Sequence, residues 1–186
     1  MTQNLVTTLN ENKVSIGLSN PKSPSNVGAV MRASGCYQVD SVFYTGQRYA
    51  RAEKFNTDTK SAVSSIPLVG VDSLPCLIGS ELSKETKIIC VDLVEGAIEL
   101  PKFEHPDNAL YIFGPEDGTI SQKVIDQAYA VVYVPTVGCM NLAATVNVLL
   151  YDRLVKLKYL QGSDELIKKS RDTNNKVKVK GLDNIL

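Results

Sequence analysis

Histidine is nearly absent: His105 is the only one in a chain of 186 residues. Nucleophilic schemes of the Ser-His-Asp or Cys-His kind would all have to recruit it. Beside Pro106 in a polar stretch, it reads instead as an exposed turn residue. Cysteine is sparse as well. Cys36, Cys76, Cys90 and Cys139 show no CxxC spacing, so no metal site is expected and free thiols in a reducing, cytoplasmic setting are. An excess of either charge is missing too. The 20 Lys+Arg balance 20 Asp+Glu, which argues against bulk polyanion binding and leaves any nucleic-acid contact to local patches. The opening MTQNLVTTLNENK lacks an apolar signal region, and no apolar run approaches the ~18 residues of a membrane span. No GxGxxG follows the first strand and no GxxxxGK[ST] occurs, which removes the conventional dinucleotide and P-loop sites.

What is present points to one α/β domain. An apolar fraction of 44% supports a sizeable core. Strands are expected at 14–18, where the pattern alternates, and at 39–45, 68–71, 87–93, 108–113 and 131–134. Between them fall a helix capped by Ser25 or Asn26 and stopped near Gly35, and a brief one from Asp72 to about Leu82. A third follows Ser121 and a long one starts at Asn141. Residues 95–101 read as a connecting loop or short edge. Such alternation predicts a mostly parallel sheet flanked by helices. Residues 1–13 read as a flexible N-terminus, 14–160 as the domain and 161–186 as a basic tail, with six Lys/Arg between 168 and 180.

Two surface features stand out. Arg48, Arg51 and Lys54 recur every third residue, with Tyr49 and Phe55 interleaved. If helical they form a stripe, suited either to plain solvation or to phosphate contact and base stacking. The helix from Asn141 carries Leu142, Val146, Leu149, Leu150, Leu154 and Leu157, with Val148 and Val155 extending the apolar surface around the cylinder. That is more than one packing face needs, and Leu149, Leu150, Leu154 and Leu157 are expected to bind a second subunit in a homodimer.

Three segments carry the chemistry. The first contains Asn26, Gly28 and Arg32; Gly28 and Arg32, four apart on a helix, share a face. In the second, an apolar run stops at Phe113-Gly114-Pro115-Glu116, followed by Gly118, Ile120 and Ser121. The third reads Val134-Pro135, a short loop, Cys139-Met140-Asn141, then an apolar helix ending Leu149-Leu150-Tyr151-Asp152. Two neighbouring strands thus end in Gly/Pro-rich loops, which is where α/β folds build pockets. In this order, the three segments resemble the motifs of the SpoU/TrmH branch of the SPOUT RNA methyltransferases, across roughly residues 14–152.

The resemblance implies a SPOUT-type sheet with a C-terminal deep trefoil knot, which no pattern of residues shows. It implies methyl transfer from S-adenosylmethionine to RNA, tRNA or rRNA, most directly at a ribose 2′-hydroxyl. A base-methylating relative and a non-catalytic RNA-binding dimer are the alternatives. Cofactor contacts fall on Leu93, Gly114, Gly118, Val134, Pro135, Cys139 and Met140. Arg32, Asn26, Glu116 and Asn141 fall in the catalytic set, and Arg48, Arg51 and Lys54 are candidates for RNA contact. Arg32 stays protonated, so it is expected to hold an RNA phosphate that takes the hydroxyl proton and to stabilise the oxyanion. Glu116 is expected to orient Arg32 or hold its loop, and Asn26 and Asn141 to orient substrate and loop. Two departures weaken the match: the family's Ser is Cys139 here, and its small polar residue after Asn-apolar is Ala143.

Overall fold

The computed structural model describes residues 12–53, 66–158 and 162–179. Among them, seven strands form one sheet: β1 Val14–Leu18, β2 Ser41–Tyr44, β3 Leu68–Gly70, β4 Lys87–Val91, β5 Ile98–Glu99, β6 Ala109–Phe113 and β7 Ala130–Tyr133. Their order is β3-β2-β1-β6-β4-β7-β5, and every pairing is parallel. The helices are α1 Pro24–Cys36, α2 Arg48–Glu53, α3 Gln122–Ile125, α4 Leu142–Leu157 and α5 Asp164–Ser170.

A strand in the middle of a parallel sheet is covered on both faces and reads as a continuous apolar run. β6, ALYIF, is buried throughout, and its side chains divide between two layers. Ala109, Tyr111 and Phe113 join Ile89, Val91 and Val132 beneath α1 and α4, with Val27, Val30, Val146, Leu149 and Leu150. Leu110 and Ile112 join Ile88 and Cys90 on the opposite side, under Leu74, Leu77 and Ile120. β1 was expected to alternate between core and solvent, yet all five of its residues are buried. It lies between β2 and β6, and its polar Ser15 is satisfied by the Ser41 hydroxyl at 2.9 Å.

Local chemistry sets the helix ends. Ser23, not Ser25 or Asn26, caps α1, its hydroxyl accepting from the Asn26 N–H. Pro24 then takes the first turn, where its fixed φ helps and its missing N–H costs nothing. The helix expected from Asp72 is reduced to a single 3-10 turn, Pro75–Leu77. Gly79 follows at φ +84, a left-handed conformation that stops it. Asn141 caps α4 by accepting from Ala143 N at 2.8 Å and Ala144 N at 3.3 Å. Within residues 161–186 the chain forms a helix, α5, capped by Ser163.

α4 does present two apolar faces, but the free one is not the expected one. Leu149 and Leu150 are completely buried in their own chain. Leu154 and Leu157 are half-buried. Val148, Tyr151 and Val155 are the exposed set, at 39%, 59% and 56%. With Tyr37, Leu100, Pro101 and Pro135 they line an apolar groove.

His105 also departs from expectation. It is buried, with Nδ1 2.7 Å from the Tyr111 hydroxyl and Nε2 2.9 Å from Asp152 Oδ2. Burial, opposed by Asp152 and assisted by Arg153 and Lys156, pushes its pKa down to about 4, so the ring is neutral at physiological pH. Buried Arg153 donates to the Pro106 and Asp107 carbonyls, and Lys156 to those of Leu100 and Phe103. Together these bonds clamp segment 100–107 to α4.

Candidate active site

The register of the sheet brings four strand ends to one edge. Val91 pairs with Phe113 and with Val132, and Leu18 also pairs with Phe113. The segments that leave β1, β4, β6 and β7 therefore emerge side by side at the carboxyl edge, the usual place for a ligand in a parallel sheet. Residues 19–25, 92–97, 114–121 and 134–141 form its rim.

Glu116 joins two of these segments. Its carboxylate accepts from Lys22 N at 2.8 Å, Ser23 N at 3.1 Å and Asn26 Nδ2 at 3.0 Å. Asn26 Oδ1 in turn accepts from Asn141 Nδ2 at 3.0 Å. One side chain from each motif thus enters a single run, Glu116–Asn26–Asn141, across sequence separations of 90 and 115 residues. Desolvation works against the Glu116 charge. The bonds from Asn26 and from the main chain of Lys22, Glu116 and Ser23 outweigh it and hold the carboxyl below the usual range. Of the two expected roles for Glu116, the geometry matches holding the loop; Arg32 is not among its partners.

Next to it, Asp117 takes both arms of the Arg48 fork at 2.9 Å, with Lys22 Nζ at 3.5 Å. The Arg48 bonds hold the Asp117 carboxyl below its ordinary value. Arg48 is therefore already engaged within the chain, while the Arg51 side chain is exposed and, among the described residues, donates to Gln47 Oε1 at 2.7 Å. Tyr49 is buried against Tyr44, ring centroids 5.0 Å apart, and so is withdrawn from the base stacking expected of it. Lys54 and Phe55 lie outside the described residues.

Behind the Glu116 run opens a cleft of about 680 Å³, counting its open mouth. Leu93, Gly114, Gly118, Val134, Cys139 and Met140, six of the residues to which the resemblance assigns the cofactor, line it. Pro135 does not; it faces the apolar groove, and Val134 separates the two cavities by lining both. Asp92, Thr136, Leu142 and Thr145 also line the cleft and were missed. A polar residue directly after the apolar run IICV was the available signal for Asp92. Cys139 is exposed, and its thiol makes only a 3.8 Å contact to the Met140 carbonyl.

Arg32 sits apart from the cleft. It is six residues beyond Asn26, about 9 Å along the axis of α1 and turned away by about 120°. It is exposed and, among the described residues, has no hydrogen bond or ion pair. Gly28, on its face, has open space where a Cβ would stand. An unpaired guanidinium over a bare helix surface is free to meet a group from outside the chain. No cluster of His, Cys, Asp or Glu suited to a metal occurs among the described residues, and none of their helices is long and apolar enough to cross a membrane.

An all-parallel sheet with helices on its faces, and a cleft made by Gly/Pro-rich segments at its carboxyl edge, defines an α/β protein with a ligand cleft. The chain belongs to the SpoU rRNA Methylase family, whose profile it matches over residues 13–151. Among solved structures it is similar to the SpoU methyltransferase AviRb from Streptomyces viridochromogenes, determined with the cofactor AdoMet. The TM-score is 0.66 at 17% identity, over 80% of this chain and 59% of AviRb. It also resembles the A. aeolicus TrmH/SpoU tRNA modifying enzyme, with TM-score 0.62, 15% identity and coverage of 90% and 92%. A third similar structure concerns the 2-OH methylation of C/U34 on tRNA, with TM-score 0.65, 18% identity and coverage of 79% and 97%. At these identities the likeness is one of fold. The chain spans less than two thirds of AviRb, and no curated protein matches it.

Proposed function

We propose that this protein is an S-adenosylmethionine-dependent methyltransferase acting on a ribose 2′-hydroxyl of tRNA or rRNA in the cytoplasm. The observation that carries this reading is the Glu116–Asn26–Asn141 run, which gathers one residue of each motif at the mouth of the cleft. The cleft fits the cofactor. Val91, Phe113, Met140 and Leu142 offer apolar wall, while Gly114, Gly118 and Thr136 offer main-chain and hydroxyl groups. When bound, the cofactor supplies an electrophilic methyl on a sulfonium. The protein's own work is positioning and charge. Asn141 fixes the entry of α4 and so the segment 134–140 before it. Glu116 fixes the start of α1, the helix that carries Arg32. Arg32 is assigned to an RNA phosphate that accepts the hydroxyl proton, and to the oxygen as charge develops on it.

Because Arg32 does not line its own cleft, a two-fold dimer supplies it most directly to the cleft of a partner. The apolar groove of Tyr37, Val148, Tyr151 and Val155 is the proposed dimer face. Its lining meets the cleft wall at Val134. Four unpaired thiols suit a cytoplasmic setting. The deep trefoil knot is part of the same proposal, with the chain beyond residue 134 threading an earlier loop. A crystallographic trace of residues 134–142 decides it.

The test is Arg32→Ala. The variant is expected to lose about 10²–10³ in methyl-transfer rate and to keep its affinity for S-adenosylmethionine by calorimetry. Near-normal turnover would remove Arg32 from the reaction. Mass spectrometry of nucleosides from treated RNA identifies the product, and a methylated base in place of a methylated ribose would replace this reading with a base methyltransferase.

A further inference from the structure

Asp92 follows directly on β4, where its N–H donates to the Val132 carbonyl of β7 at 3.0 Å. Its carboxylate reaches the opposite way. Oδ2 accepts from Ile120 N at 2.8 Å and Oδ1 from Leu93 N at 2.8 Å. Among the described residues, no basic side chain pairs with it. A half-buried carboxylate whose hydrogen bonds go only to main chain is holding backbone in place. Here it ties the Leu93 side of the cleft to the far end of the 114–120 turn. Asp92, Leu93, Gly114 and Gly118 all line that cleft.

Gly114 shows how closely this tie is built. A Cβ placed there would stand 2.8 Å from Asp92 Oδ2 and 3.4 Å from Ile120 N. The 3.4 Å to Ile120 N is ordinary contact, but real Cβ atoms do not come within 2.8 Å of an oxygen, and this oxygen is held by its bond to Ile120 N. A side chain at 114 would therefore push Asp92 Oδ2 off Ile120 N.

We infer that Asp92 is a positioning residue for the cofactor site: its carboxylate sets the separation of the two cleft walls, and Gly114 is glycine to admit it. This rests on the cofactor reading above. It acts through Leu93 and the 114–120 turn, not by touching the reacting atoms.

The experiment is a double-mutant cycle on the full chain, with D92A, G114A and the double variant. Calorimetry measures affinity for S-adenosylmethionine and for S-adenosylhomocysteine, and amide hydrogen exchange at Ile120 is followed without ligand. Each single variant is expected to weaken both ligands by about 10-fold and to speed exchange at Ile120. The double variant should be no worse than D92A, because removing the carboxylate makes room for the new Cβ. D92N, which keeps an acceptor for Ile120 N, should recover most of the affinity. Losses that multiply to about 100-fold would overturn the inference, since Gly114 would then be needed by the ligand itself. Loss of S-adenosylmethionine alone, with S-adenosylhomocysteine unaffected, would also overturn it, showing a direct charge contact. Ile120 exchange tests the tie even if the wild-type chain binds neither ligand. In that case unchanged exchange in G114A would sink this inference, and absent binding the functional one. Where D92A fails to fold, the comparison of G114A with D92N still decides.

Discussion

Replacing His105 with Phe keeps a planar ring of similar bulk and removes both of its hydrogen bonds. The neighbours are not left bare. The Tyr111 hydroxyl retains Arg153 Nη1 at 3.2 Å, and Asp152 retains Lys156 Nζ at 2.7 Å. The cost at pH 7.5 should therefore fall at about 1–3 kcal/mol, without the cavity that Ala would leave. The more telling effect is on pH dependence. His105 has a pKa of about 4 in the folded protein against an ordinary 6.5, so between those values the unfolded chain binds the extra proton. Stability contributed by the neutral ring is complete above 6.5 and is lost as pH falls toward 4. At pH 5 that difference makes the folded fraction about 30-fold less favoured, or about 2 kcal/mol. Glu116 and Asp117 are held below their ordinary values of 4.5 and 3.8 and change little in charge between pH 7.5 and pH 5, so the comparison with H105F isolates the histidine. Urea denaturation at pH 7.5 and pH 5 is the assay. Wild type should lose about 2 kcal/mol between them and H105F nearly none, so the two stabilities converge in acid. An equal loss in both proteins would refute the buried neutral histidine.

Glu116→Gln keeps one good acceptor for Lys22 N and Ser23 N but loses the charge; stability at pH 7 should fall by about 1 kcal/mol, read by thermal melting. The carboxylate's contribution is present above its ordinary pKa of 4.5 and lost as pH drops through the lower folded value, so the gap between wild type and variant should narrow as pH falls below 4.5. Tyr151→Asp with Val155→Asp should give monomer by sedimentation at micromolar protein and reduce methyl transfer, whereas a wild-type monomer with full activity would end the dimer proposal. Arg51→Glu with Lys54→Glu should weaken RNA binding and flatten its salt dependence by about two units of slope. Arg48 is left intact there because reversing it would set two carboxylates against each other at Asp117.

Sequence alone determined the parts of this protein that depend on neighbours in the chain. Runs such as ALYIF and the IICV that follows Lys87 are apolar at every position, and only a strand covered on both faces satisfies them. Asn141 before an apolar helix, and Gly/Pro stops after two strands, are local signals, and both stand where expected. The motifs could be recognised by order and spacing in the same way. Tertiary structure decided what depends on partners far along the chain. The Glu116–Asn26–Asn141 run joins residues 90 and 115 apart, and no local pattern states that these side chains meet. His105 looks like a turn residue beside Pro106, and is buried because α4, 47 residues later, closes over it with Asp152. The long helix is apolar around most of its surface, so periodicity could not say which face the sheet would take. The sheet took Leu149 and Leu150, and Val148, Tyr151 and Val155 were left outside. Asp92 and Gly114 follow the same logic: each is an ordinary residue at a strand end, and only the parallel register of β4 and β6 puts the carboxylate where a Cβ would otherwise be.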